Sequence, residues 1–397
     1  MLIRFAQRML CETDPRLLWK FSYNLGWKGL RAVNAFKRRA QSATPFPAFL
    51  FLSLTNGCNL RCQGCWVTPT HPVQSLPLDT ADRLISECQR QGSFFFGLLG
   101  GEPLLYRDLF GLIGRHPDCY FQVFTNGTLL TDEVAREMRR LGNVTPLISV
   151  EGRERVSDER RGGQHVYQRT IQGLEHCRKH RLITGVATSV CRSNIDDLVS
   201  DAFVHELAGR GVHYLWYYVY RPVGPDPSPQ LALSMDEILR LRKFIVEVRT
   251  RAPIMIIDAY WDHEGKALCP AAVGISHHIN PAGDIEPCPV VQFSRDNVGD
   301  GRNLAELFGQ SEFLKAFRAK IAETTRGCIL LDQPEALKAF LVQQGARDTS
   351  GRGTGLAELS AMIARPGHHL PGQEIPEKHW AYRFAKKHWF FGFGAYG

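Results

Sequence analysis

Three cysteines, Cys58, Cys62 and Cys65, are the residues of this chain with the clearest chemical purpose, because they lie within one eight-residue stretch. They follow a short apolar run, residues 48–54, which predicts a buried strand. Three thiolates in one loop can converge on a soft metal centre. A structural zinc site takes four protein ligands, and an iron–sulfur cube takes one ligand per iron. A loop with three ligands therefore leaves one metal position open for a substrate or cofactor.

The spacing Cys-x3-Cys-x2-Cys after a first strand resembles the signature of the radical S-adenosylmethionine (SAM) superfamily. The resemblance implies that the three cysteines hold a [4Fe–4S] cluster whose free iron binds the amino and carboxylate groups of SAM. It also implies that SAM is cleaved reductively and that a hydrogen atom is then removed from a substrate. The alternatives are a zinc knuckle with a distant fourth ligand, or three unrelated buried cysteines.

A second motif, Gly100-Gly101-Glu102-Pro103, follows the next apolar run at residues 93–99. Two glycines at a strand end let the backbone approach a ligand closely, and a carboxylate can accept a hydrogen bond from an ammonium group. The motif is similar to the superfamily's Gly-Gly-Glu-Pro, which implies that these residues bind the amino group of SAM. A plain strand-to-helix turn would explain the glycines alone.

Two further strand ends carry motifs of the same family. The third apolar run ends in Thr125-Asn126-Gly127, and the fourth carries Ser149. The resemblance implies that Ser149 contacts the ribose or the carboxylate of SAM. Glu151 stands where relatives more often have Asp, which leaves the role of this residue open.

Arg161, which directly precedes Gly162, is the candidate partner of the SAM carboxylate. The resemblance places an arginine in this region, and a guanidinium fork matches a carboxylate in a bidentate pair. Arg160 is expected to be a solvated neighbour. Asn194 has a family counterpart, but the sequence favours an Asn that caps a helix.

One expected feature is missing from the cysteine loop. Many relatives place an aromatic residue, which packs on adenine, just before the last cysteine. This chain has Gly64 there and Trp66 just after the cysteine. Either Trp66 supplies the aromatic surface or adenine is held in another way.

Strand-like and helix-like segments alternate from about residue 48 to 225. Apolar residues at helical spacing predict helices at residues 78–91, 131–141, 167–180 and 194–210. Further strand-like runs at residues 182–190 and 213–220 bring the strand–helix pairs to six. Buried strands alternating with helices predict an α/β fold with a parallel sheet. The resemblance implies a partial (β/α)6 TIM-like barrel, in which ligands gather at the carboxyl ends of the strands.

The sixth predicted strand ends in three tyrosines and an arginine: Tyr217, Tyr218, Tyr220 and Arg221. At a carboxyl strand end these side chains would face the substrate region of such a barrel. For at least half of them the core of the fold is the favoured location.

Cys269, Cys288 and Cys328 form a second set of interest. A turn at residues 281–284 lies between the first two and predicts a hairpin. The arrangement resembles the auxiliary-cluster region of the SPASM and twitch subfamilies, which implies a second [4Fe–4S] cluster bound by these three cysteines. Its fourth iron would be open or have a non-cysteine ligand, and His277 and His278 are close in sequence. Structural cysteines are the alternative.

Five other cysteines complete the eleven, and they are predicted to be buried as small hydrophobic residues: Cys11, Cys88, Cys119, Cys177 and Cys191. The odd number of cysteines and the absence of a cleavable signal argue against a secreted disulfide scaffold. An oxygen-sensitive cluster needs a reducing compartment. The expected location is therefore the cytoplasm, or the inner face of the membrane as a peripheral protein.

The two ends of the chain have an interfacial composition. Residues 1–50 carry nine Arg or Lys and two Asp or Glu, which gives +7 of the chain's formal charge of +8. Their basic amphipathic helices predict either contact with an anionic membrane or a cover for the open barrel. The aromatic tail at residues 379–397 is expected to pack on the body, cover the substrate cleft or touch lipid. The sequence contains no run of about 18 apolar residues, so no membrane-spanning helix is expected. It also contains no recognised nucleic-acid-binding module.

The sequence therefore predicts four regions: a basic helical segment (1–45), a radical SAM barrel (46–225), a SPASM/twitch-like domain (226–335), and a glycine-rich loop with an aromatic basic tail (336–397). The loop at residues 343–356 is expected to be flexible. The predicted function is hydrogen abstraction from an unactivated carbon of a peptide, a protein, or a membrane-associated lipid or isoprenoid. The resemblance implies a reducing partner such as flavodoxin or ferredoxin. The alternative is a non-catalytic iron–sulfur or zinc protein.

Overall fold

The computed structural model describes residues 2–40 and 45–388 of the chain. Its strands are β1 (Phe49–Ser53), β2 (Phe95–Leu99), β3 (Tyr120–Thr125), β4 (Val144–Ser149), β5 (Gly185–Val190), β6 (Tyr214–Val219), β7 (Met255–Ile257), β8 (Ser276–Ile279), β9 (Ile285–Glu286), β10 (Phe293–Ser294) and β11 (Arg347–Asp348).

Nine of these strands form one sheet in the order β7-β6-β5-β4-β3-β2-β1-β8-β9. The first seven follow chain order and are parallel to their neighbours. β8 adds to the other side of β1, also parallel, and β9 turns back antiparallel to β8. The strands are buried almost throughout, as expected for parallel strands covered on both faces. The predicted parallel α/β sheet is confirmed.

The helices lie between the strands and at the two ends of the described chain. They are α1 (Leu2–Glu12), α2 (Pro15–Lys20), α3 (Lys28–Ala40), α4 (Leu78–Arg90), α5 (Leu109–Arg115), α6 (Asp132–Leu141), α7 (Glu154–Arg161), α8 (Val166–Lys179), α9 (Ile195–Leu198), α10 (Asp201–Gly209), α11 (Met235–Val248), α12 (Pro270–Val273), α13 (Leu304–Gln310), α14 (Glu312–Thr324), α15 (Ile329–Asp332), α16 (Pro334–Gln343), α17 (Gly355–Ala361) and α18 (Trp380–His388). A π-helical segment, Phe21–Trp27, joins α2 to α3.

Two sequence predictions about these segments are wrong. The single helix expected at residues 194–210 is broken into α9 and α10, because the Ser200 side chain accepts a hydrogen bond from Phe203 N and starts a new helix. The loop expected to be flexible at residues 343–356 contains β11, which pairs with β10. Its Arg352 is held by Glu358 at 2.7 Å, so ion pairing and strand pairing order a glycine-rich segment.

The N-terminal helices cover the amino end of the barrel. Their buried residues, among them Leu17, Leu25, Val33 and Phe36, pack with residues of the barrel floor. Polar side chains reach the carbonyls that precede the strands: Asn24 donates to Pro117 O, Lys20 to Leu141 O and Arg8 to Val212 O. The sequence left two interpretations of this segment, contact with a membrane or a cover for the barrel. One face of the segment covers the barrel.

A buried ionic cluster fixes the C-terminal helix to the barrel. Asp258 lies 2.6 Å from Arg249 and 3.0 Å from Lys386 of α18, and Glu377 lies 2.8 Å from Arg242. All five side chains are at most 3% exposed. The part of the aromatic tail at residues 379–388 thus packs on the body of the protein, and residues 389–397 lie outside the described part of the chain.

The remaining cysteines behave as predicted with one exception. Cys88, Cys119, Cys177 and Cys191 are buried, but Cys11 is exposed. Cys11 lies on the outer face of an amphipathic helix, α1, which buries Met9 instead. No helix within residues 2–40 and 45–388 is long and apolar enough to cross a bilayer.

Candidate active site

The cysteine loop follows β1 and therefore lies at the carboxyl end of the parallel strands. Cys58, Cys62 and Cys65 are half-buried and make no disulfides. The backbone N–H of Leu60 donates to Cys58 Sγ at 3.5 Å, and that of Cys65 donates to Cys62 O at 3.3 Å. These bonds curl the loop and bring the three thiols close enough to influence one another's pKa.

The protonation of these thiols reflects their burial and mutual contact. Burial raises the pKa of Cys58, and it raises the pKa of Cys65 to about 12. The neighbouring Cys62 adds to both rises, since adjacent thiolates repel one another. Among residues 2–40 and 45–388, Cys, His, Asp and Glu side chains form no ready-made group of three or more for a metal ion. Metal binding here would release protons, because the ligands are thiolates.

Arg161 is a charged side chain that contacts a thiol of the cysteine loop. Its Nη1 donates to Cys62 Sγ at 3.6 Å, and its Nη2 lies 3.4 Å from Glu151 Oε1. Nη2 is buried and makes no hydrogen bond in the described structure. Burial raises the pKa of Cys58, Cys65 and Glu102, and the guanidinium opposes each rise, which places it near all of these groups. A buried donor that is ion-paired but makes no hydrogen bond, beside three thiols, fits an anionic ligand.

Glu151, whose role the sequence left open, positions Arg161. Its other carboxylate oxygen, Oε2, accepts a hydrogen bond from Ser189 N at 3.0 Å. Asn194 Nδ2 donates to Glu151 O and Ser189 O, while its Oδ1 accepts from Cys191 N. The expectation that the Asn194 side chain caps a helix is therefore wrong, because its polar atoms bind these two strand ends instead. Ser149 is half-buried at the last position of β4.

Glu102 is fully buried and holds the next strand end in place. Its carboxylate accepts hydrogen bonds from Thr125 Oγ1 at 2.7 Å, Asn126 N at 2.8 Å and Leu104 N at 3.1 Å. Burial raises the pKa of Glu102, and these donors oppose the rise. Hydrogen bonds to Glu102 therefore connect the Thr125-Asn126-Gly127 turn to the Gly-Gly-Glu-Pro motif. Glu102 also caps the 3₁₀ turn that starts at Pro103.

Gly100 and Gly101 are required by the cysteine loop itself. A Cβ at Gly100 would lie 2.5 Å from Thr55 O, and one at Gly101 would lie 2.2 Å from Gly57 O. Gly101 N and Glu102 N donate to these same two carbonyls. The close approach that the glycines permit is therefore an approach to the backbone of the loop.

The structure also explains why the cysteine loop has glycine where an aromatic was expected. Gly64 has a φ of +63°, and a Cβ there would lie 1.8 Å from the Tyr220 hydroxyl oxygen. Tyr220 donates to Pro227 O at 2.6 Å, and the Arg160 guanidinium lies 4.9 Å from its ring centroid. Arg160, expected to be solvated, is 4% exposed and donates to Gln63 O. Tyr220 and Arg160 together clamp the loop from outside.

A variant at Gly64 tests this clamp. Gly64→Ala should reduce the iron that the protein retains after anaerobic reconstitution, because the added methyl group displaces Tyr220 or the loop. The positive φ alone costs about 1 kcal/mol, and Gly92→Ala controls for it, since Gly92 has a φ of +82° and open space around its Cβ position. Equal iron content and equal melting temperatures for the two variants would contradict the clamp.

Trp66 contacts a buried polar network. Its ring lies edge to face with His278 at 5.5 Å. His278 is hydrogen-bonded to Ser53 Oγ at 2.7 Å and to Glu286 Oε2 at 2.6 Å. The network connects the end of β1 to the hairpin of β8 and β9. It fixes the wall of the barrel against which Trp66 packs.

The second cysteine set also comes together, although its members are far apart in sequence. Cys269 precedes α12, Cys288 follows β9 and Cys328 precedes α15. Burial raises the pKa of Cys269 to about 11 and that of Cys288 to about 12, with further rises from the other thiols of the set. The turn at residues 281–284 joins β8 and β9, so the predicted hairpin is confirmed.

Arg221 directly faces this second set. Its Nε donates to Cys328 Sγ at 3.2 Å, and its Nη1 donates to Val219 O and to the Tyr260 hydroxyl. In the part of the chain that the structure describes, no carboxylate lies within ion-pairing distance of this guanidinium. Each cysteine set therefore has one arginine that donates to one of its sulfurs.

The two histidines close to this set in sequence are engaged elsewhere. His277 stacks on Phe308 at 5.6 Å and contacts Pro287 O through Nδ1, and burial lowers its pKa to about 3. His278 belongs to the network under Trp66. The sequence did not predict that Arg221 contacts the second cysteine set. The one feature that pointed to a site was its position at the carboxyl end of β6.

A cavity of about 320 Å³ lies beside both cysteine sets. Gly224 in its wall is packed on Cys65, since a Cβ there would lie 2.0 Å from Cys65 O. Val290 and Leu330, also in the wall, are two residues from Cys288 and Cys328. The lining is mainly apolar, with Arg352 and Glu358 among its charged residues.

Comparison with protein families and curated proteins gives consistent matches. Residues 52–201 match the family model described as the radical SAM superfamily. The AdoMet-dependent heme synthase of Methanosarcina barkeri is 30% identical over 201 residues, which cover 49% of this chain and 58% of that protein. The sporulation killing factor maturation protein SkfB of Bacillus subtilis is 25% identical over 275 residues, covering 66% of each. The chain thus spans less than two thirds of the length of these relatives.

Solved structures show the same architecture. SuiB of Streptococcus suis bound to S-adenosylmethionine gives a TM-score of 0.60 at 16% identity, covering 69% of this chain and 68% of SuiB. SuiB bound to the precursor peptide SuiA gives 0.60 at 15% identity, covering 73% and 70%. At these identities the likeness concerns the fold, and it confirms the partial TIM-like barrel predicted from the sequence.

Proposed function

Because the chain belongs to the radical SAM superfamily, in its SPASM/twitch-like branch, we propose that it abstracts a hydrogen atom from an unactivated substrate carbon. The cofactors of this class are a [4Fe–4S] cluster and SAM. When bound, the cluster supplies the electron that splits SAM into methionine and a 5′-deoxyadenosyl radical. We propose Cys58, Cys62 and Cys65 as its ligands, and a flavodoxin or ferredoxin as the electron donor.

The observation that carries this proposal is the buried Nη2 of Arg161 beside the three thiols, which is ion-paired with Glu151 but makes no hydrogen bond. A SAM carboxylate would supply the hydrogen bond that this donor lacks, and the ion pair with Glu151 holds the guanidinium in position for it. The partly exposed backbone of Gly100 and Gly101 would present carbonyl oxygens to the SAM amino group, and the buried Glu102 carboxylate would hold this strand end in place and add negative charge beside it. Ser149, Pro103 and Trp66 complete the proposed binding surface, with Trp66 held by His278.

Arg161→Met should weaken SAM binding by about 10- to 100-fold, the range for loss of a hydrogen bond to a charged group. Calorimetric titration of SAM into anaerobically reconstituted protein measures this directly. Arg155→Met is the matched control, because Arg155 is an exposed residue of the same helix, α7. Equal SAM affinities for the two variants would remove Arg161 from the site.

For the second cysteine set we propose an auxiliary [4Fe–4S] cluster held by Cys269, Cys288 and Cys328. The convergence of the three thiols supports it, and Arg221 supports it as well. A guanidinium without a carboxylate partner is costly away from water, and cysteine thiolates bound to a cluster would supply the missing negative charge. Hydrogen bonding from Arg221 to Cys328 would also tune the reduction potential of the cluster.

Iron analysis tests the second cluster. The reconstituted protein should hold about eight irons per chain, and Cys328→Ala should hold about four. Cys177→Ala is the control, because Cys177 is buried in the core and is not a proposed ligand. A wild-type value near four would contradict the auxiliary cluster and leave the first one in place.

The substrate is proposed from the cavity and the relatives. A cavity of about 320 Å³ with a mainly apolar lining suits an apolar peptide side chain or an isoprenoid unit. SkfB is a maturation protein, and SuiB has been seen with a precursor peptide. These relatives support a peptide or protein as the substrate of this chain, and the apolar lining supports a lipid or isoprenoid equally.

A further inference from the structure

The outer face of the N-terminal helices exposes aromatic side chains in a row. Trp19 is 69% exposed, Tyr23 is 44% exposed and Trp27 is 55% exposed. Their four-residue spacing returns to nearly the same side of both an α-helix and a π-helix, so they share one face. The Trp19 and Tyr23 rings stack at 6.0 Å. Three aromatic rings kept in water at a protein surface call for a partner.

Basic side chains continue the same face. Arg31 lies four residues after Trp27 and Arg38 lies seven residues later, and both are exposed. We refer to Trp19, Tyr23, Trp27, Arg31 and Arg38 as the aromatic–basic stripe. The described residues 2–40 contain all nine Arg or Lys and both acidic residues counted above, so their formal charge is +7.

The two acidic residues of this segment do not neutralise the stripe. Glu12 pairs with Arg8 of its own helix at 2.7 Å, and Asp14 pairs with Arg139 of α6 at 2.7 Å. The opposite face of the segment is committed to the barrel floor through residues such as Leu17 and Val33. The stripe is therefore an outward face with positive charge and aromatic rings.

We propose that the aromatic–basic stripe docks on an anionic lipid bilayer. Tryptophan and tyrosine favour the headgroup region because their rings are apolar and carry a polar tip. Arginines beside them gain from the negative surface potential of such a bilayer. A second copy of the chain is a poor occupant, because a two-fold interface would face this positive patch with itself.

The docking also orients the catalytic end. The stripe lies beyond the amino end of the barrel, whereas the cysteine loop follows the carboxyl end of β1. A protein docked through the stripe thus presents its cysteine loop away from the bilayer, toward water. The proposal concerns the surface alone and does not depend on the cofactor chemistry.

Vesicle flotation tests the proposal. The full chain should float with vesicles of phosphatidylglycerol and phosphatidylcholine, and it should stay behind with pure phosphatidylcholine. Trp19→Ser/Tyr23→Ser/Trp27→Ser should lose flotation, and Arg31→Ala/Arg38→Ala should weaken binding roughly 30-fold, since each basic residue contributes about fivefold. Because all five side chains are exposed, circular dichroism should show unchanged folding.

Two matched variants control for general loss of aromatic or basic surface. Trp380→Ser/Phe384→Ser removes exposed aromatic residues of α18, and Arg155→Ala/Arg169→Ala removes exposed arginines of the barrel. Both should float like the wild type. The proposal would be overturned if the wild type failed to float, or if the stripe variants still floated. It would equally be overturned by a stripe-dependent dimer in light scattering, or by binding of an RNA oligonucleotide in place of vesicles.

Discussion

Replacing Cys62 by Ala should reduce release of 5′-deoxyadenosine from SAM to the level of a protein-free blank. Cys62 is the central member of the first cysteine set, because its thiol lies beside both Cys58 and Cys65 and accepts the hydrogen bond from Arg161. A cube that loses one of three protein ligands is not retained in a form that can reduce SAM. The measurement is chromatography of the anaerobic reaction mixture with dithionite as reductant.

Cys11→Ala is the matched control for this experiment. Cys11 is an exposed cysteine on α1, on the opposite end of the barrel from the cysteine loop. Its loss should leave 5′-deoxyadenosine release unchanged. Release that persists in Cys62→Ala would show that the three-cysteine loop is not the site of SAM cleavage.

The largest effect on stability is expected from Asp258→Asn. Asp258 is fully buried among Arg242, Arg249 and Lys386, at 3.4, 2.6 and 3.0 Å. Loss of its charge leaves three buried cations with Glu377 as the remaining carboxylate of the cluster. Breaking a buried ion pair in this way costs about 3–5 kcal/mol. Urea unfolding followed by fluorescence should show the loss in the free energy of unfolding.

Glu264→Gln provides the comparison, because Glu264 forms an exposed pair with Lys266 and its loss should leave the unfolding midpoint unchanged. An Asp258→Asn protein that unfolds at the wild-type midpoint would contradict the role of the cluster.

The cluster also makes the free energy of unfolding fall in acid. Arg249, Lys386 and Arg242 lower the pKa of Glu377 to about 2 against the effect of burial. Its contribution is complete above its ordinary pKa of 4.5 and is lost as the pH falls from there toward 2.

Much of the catalytic end could be predicted because its signals are local in sequence. The cysteine loop and the Gly-Gly-Glu-Pro motif each lie just after a predicted strand, and parallel strands bring such ends to one edge. Arg161 was predicted from the resemblance, and it lies at the end of the helix that follows β4. The sheet was predictable for the same reason, since buried strands alternate with helices. The convergence of Cys269, Cys288 and Cys328 was expected from the resemblance rather than from local pattern.

The residues that were missed depend on contacts between segments distant in sequence. Nothing near Gly64 indicates that Tyr220, over 150 residues later, fills the space beside it. Asn194 has the local pattern of a helix cap, but two strand ends compete successfully for its side chain. Arg160 and Arg161 are adjacent and chemically identical, and the geometry of the end of α7 directs one to Tyr220 and the other to Cys62.

Electron paramagnetic resonance of the reduced, anaerobically reconstituted protein shows whether the cysteine loop holds a cluster that binds SAM. We expect a [4Fe–4S] signal that shifts when SAM is added, and that loses this response in Arg161→Met. Protein that holds zinc in the cysteine loop, or a cluster whose signal is indifferent to SAM, would contradict it.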